Sequence, residues 1–538
     1  MMMRMFVYLL FTSTLLAQGP PPPPNREVPS PNVSFDRILK ANQEPQNWLT
    51  YGGSPLSQRH SQLTQITPAN AKDLELKWVF QSRSLEKHEV TPLVVDGTMY
   101  TIQSPNDVIA LNAATGKTIW TYSHKPDPAA RNCCGKLTRG LAILGDKLFL
   151  AAFDARMIAI DAKTGKELWN TPAADPKQGY AFTHAPLVVK DKVIAGTAGG
   201  EYGVRGFIAA WNVNTGEEVW RFNTVPGPGE PGHETWSGDS WMHGGAPVWV
   251  TGSYDAAANL TYWGGNARLG DNLYSCSVIA LDPDTGKLKW YYQFSPHDEF
   301  DWDSTQTPVL ADMDWQGRSR KVMFWANRNG IFYVLDRLTG EFLRARPFVK
   351  VNWADGFDEK GRPIRVPGIV PTIAGTLVYP GNQGGTNWYP PSYSPRTGLF
   401  YIPAWENSST TYIKGQEPPE FHEGQGFAGL FPKPGNRDDD AYGAVRAIDP
   451  KTGDRKWEFR QNAASTEAGI LTTASDVLFS GGRDGTFYAL DARDGKLLWQ
   501  TNLGPSVAAG PMTFAVNGKQ YVSIVVGSSL FTFGLREN

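Results

Sequence analysis

The chain of 538 residues has few cysteines, little net charge and no long apolar run after Leu16. Three cysteines are too few to stabilise a protein of this size, so its stability must come from a hydrophobic core. No C-x-x-C-H motif is present, which argues against a covalently attached haem. A formal net charge of −2 gives no electrostatic footprint for nucleic acid. The missing apolar run argues against a membrane span.

The amino terminus has the features of a secretory signal. Arg4 precedes an apolar run from Met5 to Leu16, and small residues follow near Ala17. We therefore predict a signal peptide over residues 1–18 and a proline-rich lead-in over residues 19–40. We also predict export to the periplasm, an oxidising compartment in which disulfides persist.

Glycine, proline and tryptophan are abundant, with 55, 40 and 19 copies, which favours strands and turns over long helices. One short pattern recurs: a small or apolar residue, then Asp or Asn two positions later, a Thr-Gly or Asp-Gly pair, and Trp four positions after the Gly. Asp and Gly are typical of a tight turn, because Asp bonds nearby backbone and Gly accepts a positive φ. The copies end at Trp78, Trp120, Trp169, Trp220, Trp290, Arg344, Trp457 and Trp499.

Each copy predicts a hairpin, and eight hairpins that cannot bury their faces alone must stack. The sequence therefore predicts an all-β fold, an eight-bladed β-propeller over residues 41–538 with four-stranded antiparallel blades. We interpret the repeated tryptophans as packing residues between blades. The widest gap, 113 residues from Arg344 to Trp457, predicts inserted loops at about residues 345–442. This fold by itself is compatible with enzymes, scaffolds and binding platforms.

Two short segments carry residues suited to chemistry. In an extended Asp301-Trp302-Asp303 the two carboxylates would point the same way. Such a pair repels unless a cation lies between its members, although an isolated D-x-D is also typical of a solvated loop. Adjacent Cys133 and Cys134 can form a strained disulfide ring or remain two packed thiols.

Three further residues lie where a ligand could approach. Trp241 stands near a glycine pair and can offer a ring face to a planar ligand, or pack in the core. Glu201 lies among glycines, which allow close approach of backbone to a ligand, and is also typical of an exposed loop. Asn266 is either a ligand or an ordinary turn residue.

Together, the repeat and these segments resemble the quinoprotein alcohol dehydrogenases, an eight-bladed family that uses pyrroloquinoline quinone (PQQ). The similarity extends from about Asn47 to Gly527. It implies that the quinone lies between a Cys133–Cys134 disulfide and Trp241, with Arg139 on its oxygens. The resemblance also implies a metal ion held by Glu201, Asn266 and Asp301, and a second aspartate, Asp303, is typical of the lanthanide-dependent branch, with Ca²⁺ as the alternative. Looser matches imply further cofactor contacts at Glu89, Thr183, Gly199, Gly200, Arg328, Asn387 and Trp388.

The activity that this resemblance implies is oxidation of an alcohol to an aldehyde by hydride transfer to the quinone. Asp301 would take the hydroxyl proton, and Arg139 would help to polarise the quinone. The electrons would pass to a separate acceptor such as a soluble cytochrome c. Two alternatives remain open: a cofactor-free envelope scaffold, and a PQQ enzyme acting on sugars or polyols. Assembly as a homodimer is also left open.

Overall fold

The computed structural model describes residues 27–265, 271–416, 420–427, 430–434, 440–463 and 465–537. The predicted signal peptide, the proline run at residues 20–24 and Asn266 lie outside these ranges. Within them, strands dominate, and no helix has the length and apolarity that crossing a membrane requires. The helices are an α-helix, Phe35–Leu39, and the 3₁₀ helices Ala41–Gln43, Ala71–Asp73, Pro176–Gln178, Gly200–Tyr202, His233–Thr235 and Ser240–His243.

Most strands belong to antiparallel sheets of four strands that follow one another along the chain. Among the described residues, six such sheets take all four strands in chain order. They are Leu93–Val95, Thr98–Gln103, Asp107–Asn112, Thr118–Tyr122; Ala142–Leu144, Lys147–Ala152, Arg156–Asp161, Glu167–Pro172; Leu187–Val189, Lys192–Gly196, Phe207–Asn212, Glu218–Asn223; Ser253–Asp255, Leu260–Gly264, Ser277–Leu281, Leu288–Gln293; Val309–Trp315, Arg318–Ala326, Ile331–Asp336, Phe342–Pro347; and Ser392–Ser394, Leu399–Glu406, Tyr442–Ile448, Arg455–Arg460.

Two more sheets join the beginning of the described chain to its end. Strand Leu74–Gln81 pairs with Ser529–Leu535, and His60–Ser61 runs parallel to Leu471–Thr473. These shared sheets close the series of sheets into a ring, and the fold is an all-β propeller. The remaining strands of these two sheets are Val477–Gly481, Thr486–Asp491 and Leu497–Asn502 in one, and Met512–Val516 and Lys519–Val526 in the other.

The region predicted to hold inserted loops contains both extra and regular structure. A hairpin, Ala354–Phe357 with Pro363–Arg365, and a small sheet of Thr376–Val378, Thr410–Lys414 and Leu430–Pro434 are additional to the four-stranded sheets. Strand Leu399–Glu406, however, belongs to a regular four-stranded sheet. The insertion therefore interrupts a regular sheet. The sequence did not reveal the first strands of that sheet, because the repeated pattern marks only the last two strands of each unit.

The repeated tryptophans pack between sheets, as the pattern predicts. Trp120 pairs across its sheet with the small residue Ala110, and its indole N–H donates to the carbonyl oxygen of Ala162 in the next copy at 3.2 Å. The turn glycine of that copy, Gly165, leaves room for the Trp120 ring, which a Cβ would meet at 2.6 Å. The same indole-to-carbonyl bond recurs at Trp78, Trp169, Trp220 and Trp457. The sequence pattern therefore encodes the contact between neighbouring sheets.

Candidate active site

The two aspartates of the D-x-D segment meet at one arginine. Arg328, in the turn between Arg318–Ala326 and Ile331–Asp336, places Nη1 2.8 Å from Asp303 Oδ2 and Nη2 3.3 Å from Asp301 Oδ2. Arg328 and Asp303 are buried, whereas the Asp301 side chain is 57% exposed. One guanidinium thus holds two carboxylates, of which a substrate can reach Asp301.

The carboxylates converge through a turn, and the extended conformation assumed for this segment is wrong. Asp301 has a φ of 63°, in the left-handed region that non-glycine residues seldom adopt. Asp298 accepts the backbone N–H of Phe300 at 3.2 Å and that of Trp302 at 2.9 Å, which bends the chain here. Trp302, which stands between the two aspartates in the sequence, has a buried ring that anchors the segment. Asp301 therefore projects outward from a rigid support.

The surroundings disfavour charge on these acids. Burial raises the pKa of Asp303 well above its usual range, and the charge of Arg328 offsets only part of that effect. Burial raises the pKa of Asp298 to about 6, although the Trp302 N–H lowers it. Burial by the surrounding protein also raises the pKa of Asp301 even though that carboxyl opens to solvent on one side, and Arg328 lowers it. A further cation nearby is the usual way to keep such a group ionised.

Trp249 connects Asp303 to a second arginine. Its indole N–H donates to Asp303 Oδ2 at 3.1 Å, and its carbonyl oxygen accepts from Thr183 Oγ1 at 3.3 Å. The guanidinium of Arg139 lies 5.0 Å from the centre of its ring. Sequence reasoning missed Trp249, whose one signal is that it is a tryptophan outside the repeated pattern.

Around Arg139 the structure brings together several of the predicted cofactor contacts. Arg139 Nη2 lies 2.7 Å from Glu89 Oε2, Nη1 donates to the Thr183 carbonyl oxygen at 3.1 Å, and the guanidinium stacks 4.4 Å from the Trp388 ring. Asn387 accepts the backbone N–H of Trp388 at 2.9 Å. All five of these residues are buried, so Arg139 is held rigidly from several sides.

Cys133 and Cys134 are joined by a disulfide, and both are exposed. The backbone N–H of Cys133 donates to Glu201 Oε1 at 2.8 Å, so the disulfide and Glu201 form one wall. Glu201 lies in the 3₁₀ helix Gly200–Tyr202, which follows Gly199 at a φ of 104°. A Cβ at Gly199 would overlap the carbonyl oxygen of Gly179, so only glycine fits this turn.

Trp241 lies in the 3₁₀ helix Ser240–His243 and is half-buried. The guanidinium of Arg205 lies 5.0 Å from the centre of its ring, and His233 approaches the ring edge-on at 6.0 Å. Arg205 is fixed by Glu230 at 2.7 Å. Trp241 is therefore supported on one face by a cation, which is consistent with offering the other face to a planar ligand.

The predicted metal ligands are only partly placed by the structure. Asn266 lies outside the described residues, and within the described ranges no three His, Cys, Asp or Glu side chains gather closely enough to hold a metal ion. Glu201 therefore does not join the two aspartates in such a group. Asp301 and Asp303 do come together, and the cation that they share is Arg328.

Three buried polar atoms test whether an anionic quinone and a cation fit here. Arg139 Nε, Arg328 Nε and Asp303 Oδ1 have no hydrogen-bond partner. Buried polar groups are normally satisfied, so these atoms are suited to a ligand. Two guanidinium donors suit an anionic, oxygen-rich molecule, and a free carboxylate oxygen suits a hard cation. Arg139 and Arg328 therefore fit an anionic quinone, and Asp303 Oδ1 beside the accessible Asp301 fits a cation, whereas Glu201 is not gathered with them in the described residues.

Comparison with known proteins identifies relatives over almost the whole chain. A family model described as "PQQ: Glucose/ethanol/alcohol dehydrogenase, beta-propeller domain" matches residues 48–351 and 461–522. The chain is 39% identical to a quinohemoprotein alcohol dehydrogenase of Comamonas testosteroni, over 92% of this chain and 74% of that one. It is also 39% identical to a 1-butanol dehydrogenase (cytochrome c) of Thauera butanivorans, over 89% of this chain and 74% of that one.

Among solved structures, a europium-containing methanol dehydrogenase superposes with a TM-score of 0.87 at 34% identity. The superposition covers 93% of this chain and 100% of that one.

Proposed function

The chain belongs to the family of PQQ-dependent alcohol dehydrogenases, and we propose that it oxidises an alcohol to an aldehyde at the site built around Asp301, Arg328 and Arg139. PQQ is the cofactor, and the electrons pass on to cytochrome c. The observation that carries the proposal is the pairing of Asp301 and Asp303 with one buried arginine, Arg328, while Asp301 stays accessible. This arrangement provides a base at a place that an alcohol can reach.

Asp301 is the general base that takes the hydroxyl proton of the alcohol on a carboxylate oxygen. Arg328 holds that carboxylate in place and favours its ionised form, because an opposite charge within 4 Å lowers the pKa of a carboxyl. Asp298 fixes the backbone on both sides of Asp301, because its carboxylate oxygens accept the backbone N–H groups of Phe300 and Trp302. When bound, PQQ supplies the hydride acceptor and the metal ion supplies Lewis-acid polarisation.

The residues that would hold PQQ are two walls, one on each face of the quinone, and two arginines at its edge. The disulfide of Cys133 and Cys134 forms one wall and Trp241 the other, and stacking on planar surfaces suits a planar quinone. Arg139 and Arg328 supply donors for its oxygens, because each guanidinium retains a buried Nε without a partner. Further contacts are proposed at Glu89, Thr183, Gly199, Gly200, Asn387 and Trp388.

For the metal we propose a lanthanide(III) ion, with Ca²⁺ as the alternative. Its ligands would be Glu201, Asn266, Asp301 and Asp303, and the three carboxylates suit a trivalent ion better than a divalent one. Asp303 Oδ1, which is buried and has no partner, is an atom available to it. The similarity to a europium-containing methanol dehydrogenase supports this assignment.

Three features of the whole protein belong to the same proposal. The eight sheets of four or five strands in the described residues are eight blades of one domain over residues 41–538, and their order along the chain supports this. The apolar run after Arg4 and the vicinal disulfide support export to the periplasm. We also propose that the cytochrome c acceptor is a separate, soluble molecule.

The proposal is tested by dye-linked alcohol oxidation with PQQ and either La³⁺ or Ca²⁺, for the wild type and for Asp303→Ala. We expect the variant to lose La³⁺-supported turnover, whereas the control Asp314→Ala, at a position 61% exposed, keeps it. Equal La³⁺-supported rates in the wild type and Asp303→Ala would show that the metal assignment is wrong. If the wild type oxidises sugars or polyols but no simple alcohol, the substrate assignment is wrong.

A further inference from the structure

Residues 420–427 reach from the small inserted sheet to the candidate site. They follow strand Thr410–Lys414, whose Tyr412 donates its hydroxyl proton to the carbonyl oxygen of Phe300, next to Asp301, at 2.6 Å. At the other end, the backbone N–H of Phe427 donates to the carbonyl oxygen of Glu201 at 2.8 Å. This part of the insertion therefore touches the site on the Asp301 side and on the Glu201 side.

Three aromatic rings join this segment to the walls of the site. The rings of His243 and Phe421 are stacked, with centroids 3.5 Å apart and planes at 19°. Phe427 meets His243 edge-on at 6.3 Å and Phe421 edge-on at 5.6 Å. We call His243, Phe421 and Phe427 the aromatic clamp.

Gly203 lies directly beneath the clamp and allows its close packing. His243 Nδ1 lies 3.3 Å from the Gly203 carbonyl oxygen. A Cβ at Gly203 would lie 3.0 Å from Phe421 Cε2 and 3.1 Å from Phe427 Cδ1, which is tighter than ordinary contact. Gly203 also has a φ of 67°, so glycine is the residue suited to this position on both grounds.

The clamp links the two walls proposed to enclose the quinone. On one side, Phe427 bonds the backbone of Glu201, whose carboxylate in turn accepts the N–H of Cys133. On the other side, His243 ends the same 3₁₀ helix that carries Trp241. The inserted segment therefore contacts both the disulfide wall and the Trp241 wall, in addition to the backbone bonds between Gly245 and Val204 and between Gly206 and Gly245 that join these walls directly.

We propose that the aromatic clamp fixes the separation of the two walls and thereby sets the rate at which PQQ leaves the protein. This inference rests on the proposed function, because it needs PQQ to bind between Cys133–Cys134 and Trp241. His243, Phe421 and Phe427 are positioning residues, since they act through Glu201 and Trp241. An open clamp would let the walls separate and release the planar ligand sooner.

The test is release of PQQ from the protein loaded with PQQ and La³⁺ or Ca²⁺, in the absence of alcohol. After gel filtration, free PQQ is measured over time by its absorbance, for the wild type, Phe421→Ala and Phe421→Tyr. Loss of the interaction energy of one stacked aromatic pair changes an equilibrium or rate constant by roughly two- to tenfold. We expect Phe421→Ala to release PQQ faster by about that factor, and Phe421→Tyr, which keeps the ring, to restore slow release.

Phe342→Ala is the matched control, because Phe342 is also half-buried, packs over a positive-φ glycine, Gly361, and faces a second ring, Phe357, away from the clamp. We expect this variant to release PQQ at the wild-type rate. Release from Phe421→Ala at the wild-type rate, or equally fast release from Phe342→Ala, would overturn the clamp while leaving the proposed function intact. A wild type that binds no PQQ at all would instead overturn the proposed function.

Discussion

Replacing Trp249 by Phe removes one hydrogen bond and keeps an aromatic ring at this position. The indole N–H that donates to Asp303 Oδ2 at 3.1 Å is lost, while an aromatic face remains near Arg139. Because Asp303 is buried, no water replaces the lost donor without rearrangement. Asp303 would then keep Arg328, at 2.8 Å, as its partner on that oxygen.

The size of the effect follows from the kind of bond. A hydrogen bond to a charged group contributes about 1.5–3 kcal/mol net, which corresponds to a factor of about 10 to 150 in an equilibrium constant. Loss of a group that orients a metal ligand typically lowers metal affinity by about 10- to 100-fold. The two estimates agree, so we expect Trp249→Phe to bind the metal of the PQQ-loaded protein about 10- to 100-fold more weakly.

Isothermal titration of PQQ-loaded protein with La³⁺ and with Ca²⁺ measures this affinity. Trp169→Phe is the control, since it also loses an indole N–H bond, to the Val213 carbonyl oxygen at 3.3 Å, but in the packing between sheets. We expect the control to bind metal like the wild type. If Trp249→Phe binds both ions within twofold of the wild type, or if Trp169→Phe loses as much affinity, the orientation of Asp303 by Trp249 is refuted.

Two further predictions concern stability. Arg446 is buried and forms ion pairs with Glu406 at 2.6 Å and Glu458 at 2.7 Å. Arg446→Met should therefore lower the free energy of unfolding, measured by guanidinium denaturation, by about 3–5 kcal/mol. A decrease below about 1 kcal/mol would contradict a structural role for these two ion pairs. Burial raises the pKa of Asp154, but the hydrogen bond and charge of His124 together with backbone N–H donors outweigh burial, so the pKa lies below the ordinary value. A lowered carboxyl pKa stabilises the fold above the unfolded-state pKa and ceases to do so as the pH falls through the folded-state pKa. The stability advantage of the wild type over Asp154→Asn should therefore shrink between about pH 5 and pH 3, whereas a constant difference would rule out this linkage.

The propeller could be predicted from sequence because each repeat carries its own packing rules. Trp120, its small cross-strand partner Ala110 and the turn glycine Gly165 of the next copy are all local features of the pattern. The boundaries of the insertion were harder to predict from the sequence, because the pattern marks only the last two strands of a sheet. Strand Leu399–Glu406 lies outside that pattern and therefore fell within the region predicted to be inserted loops.

The candidate site was predictable in its residue types and less so in its geometry. Cys133, Arg139 and Asp301 lie in segments that are distinctive in sequence, so they could be proposed one at a time. The turn at Asp301 could not be foreseen from period-two alternation, since it arises from backbone N–H bonds to Asp298. Trp249 could not be foreseen either, because its importance lies in two partners, Asp303 and Arg139, that are distant in sequence.

The balance of charge is the physical basis on which we propose a highly charged cation at the D-x-D segment. Arg139 and Glu89 form a neutral pair, but Arg328 alone faces both Asp301 and Asp303, so this part of the site lacks one positive charge. A site short of a positive charge takes up either a proton, which Asp303 as the more deeply buried acid would carry, or a cation, which leaves both carboxylates ionised. Removing Asp303 leaves Arg328 and Asp301 as a balanced pair, so less negative charge remains to attract a cation. For this reason Asp303→Ala should weaken the binding of La³⁺ more than that of Ca²⁺, because the attraction lost with one carboxylate is proportional to the charge of the ion.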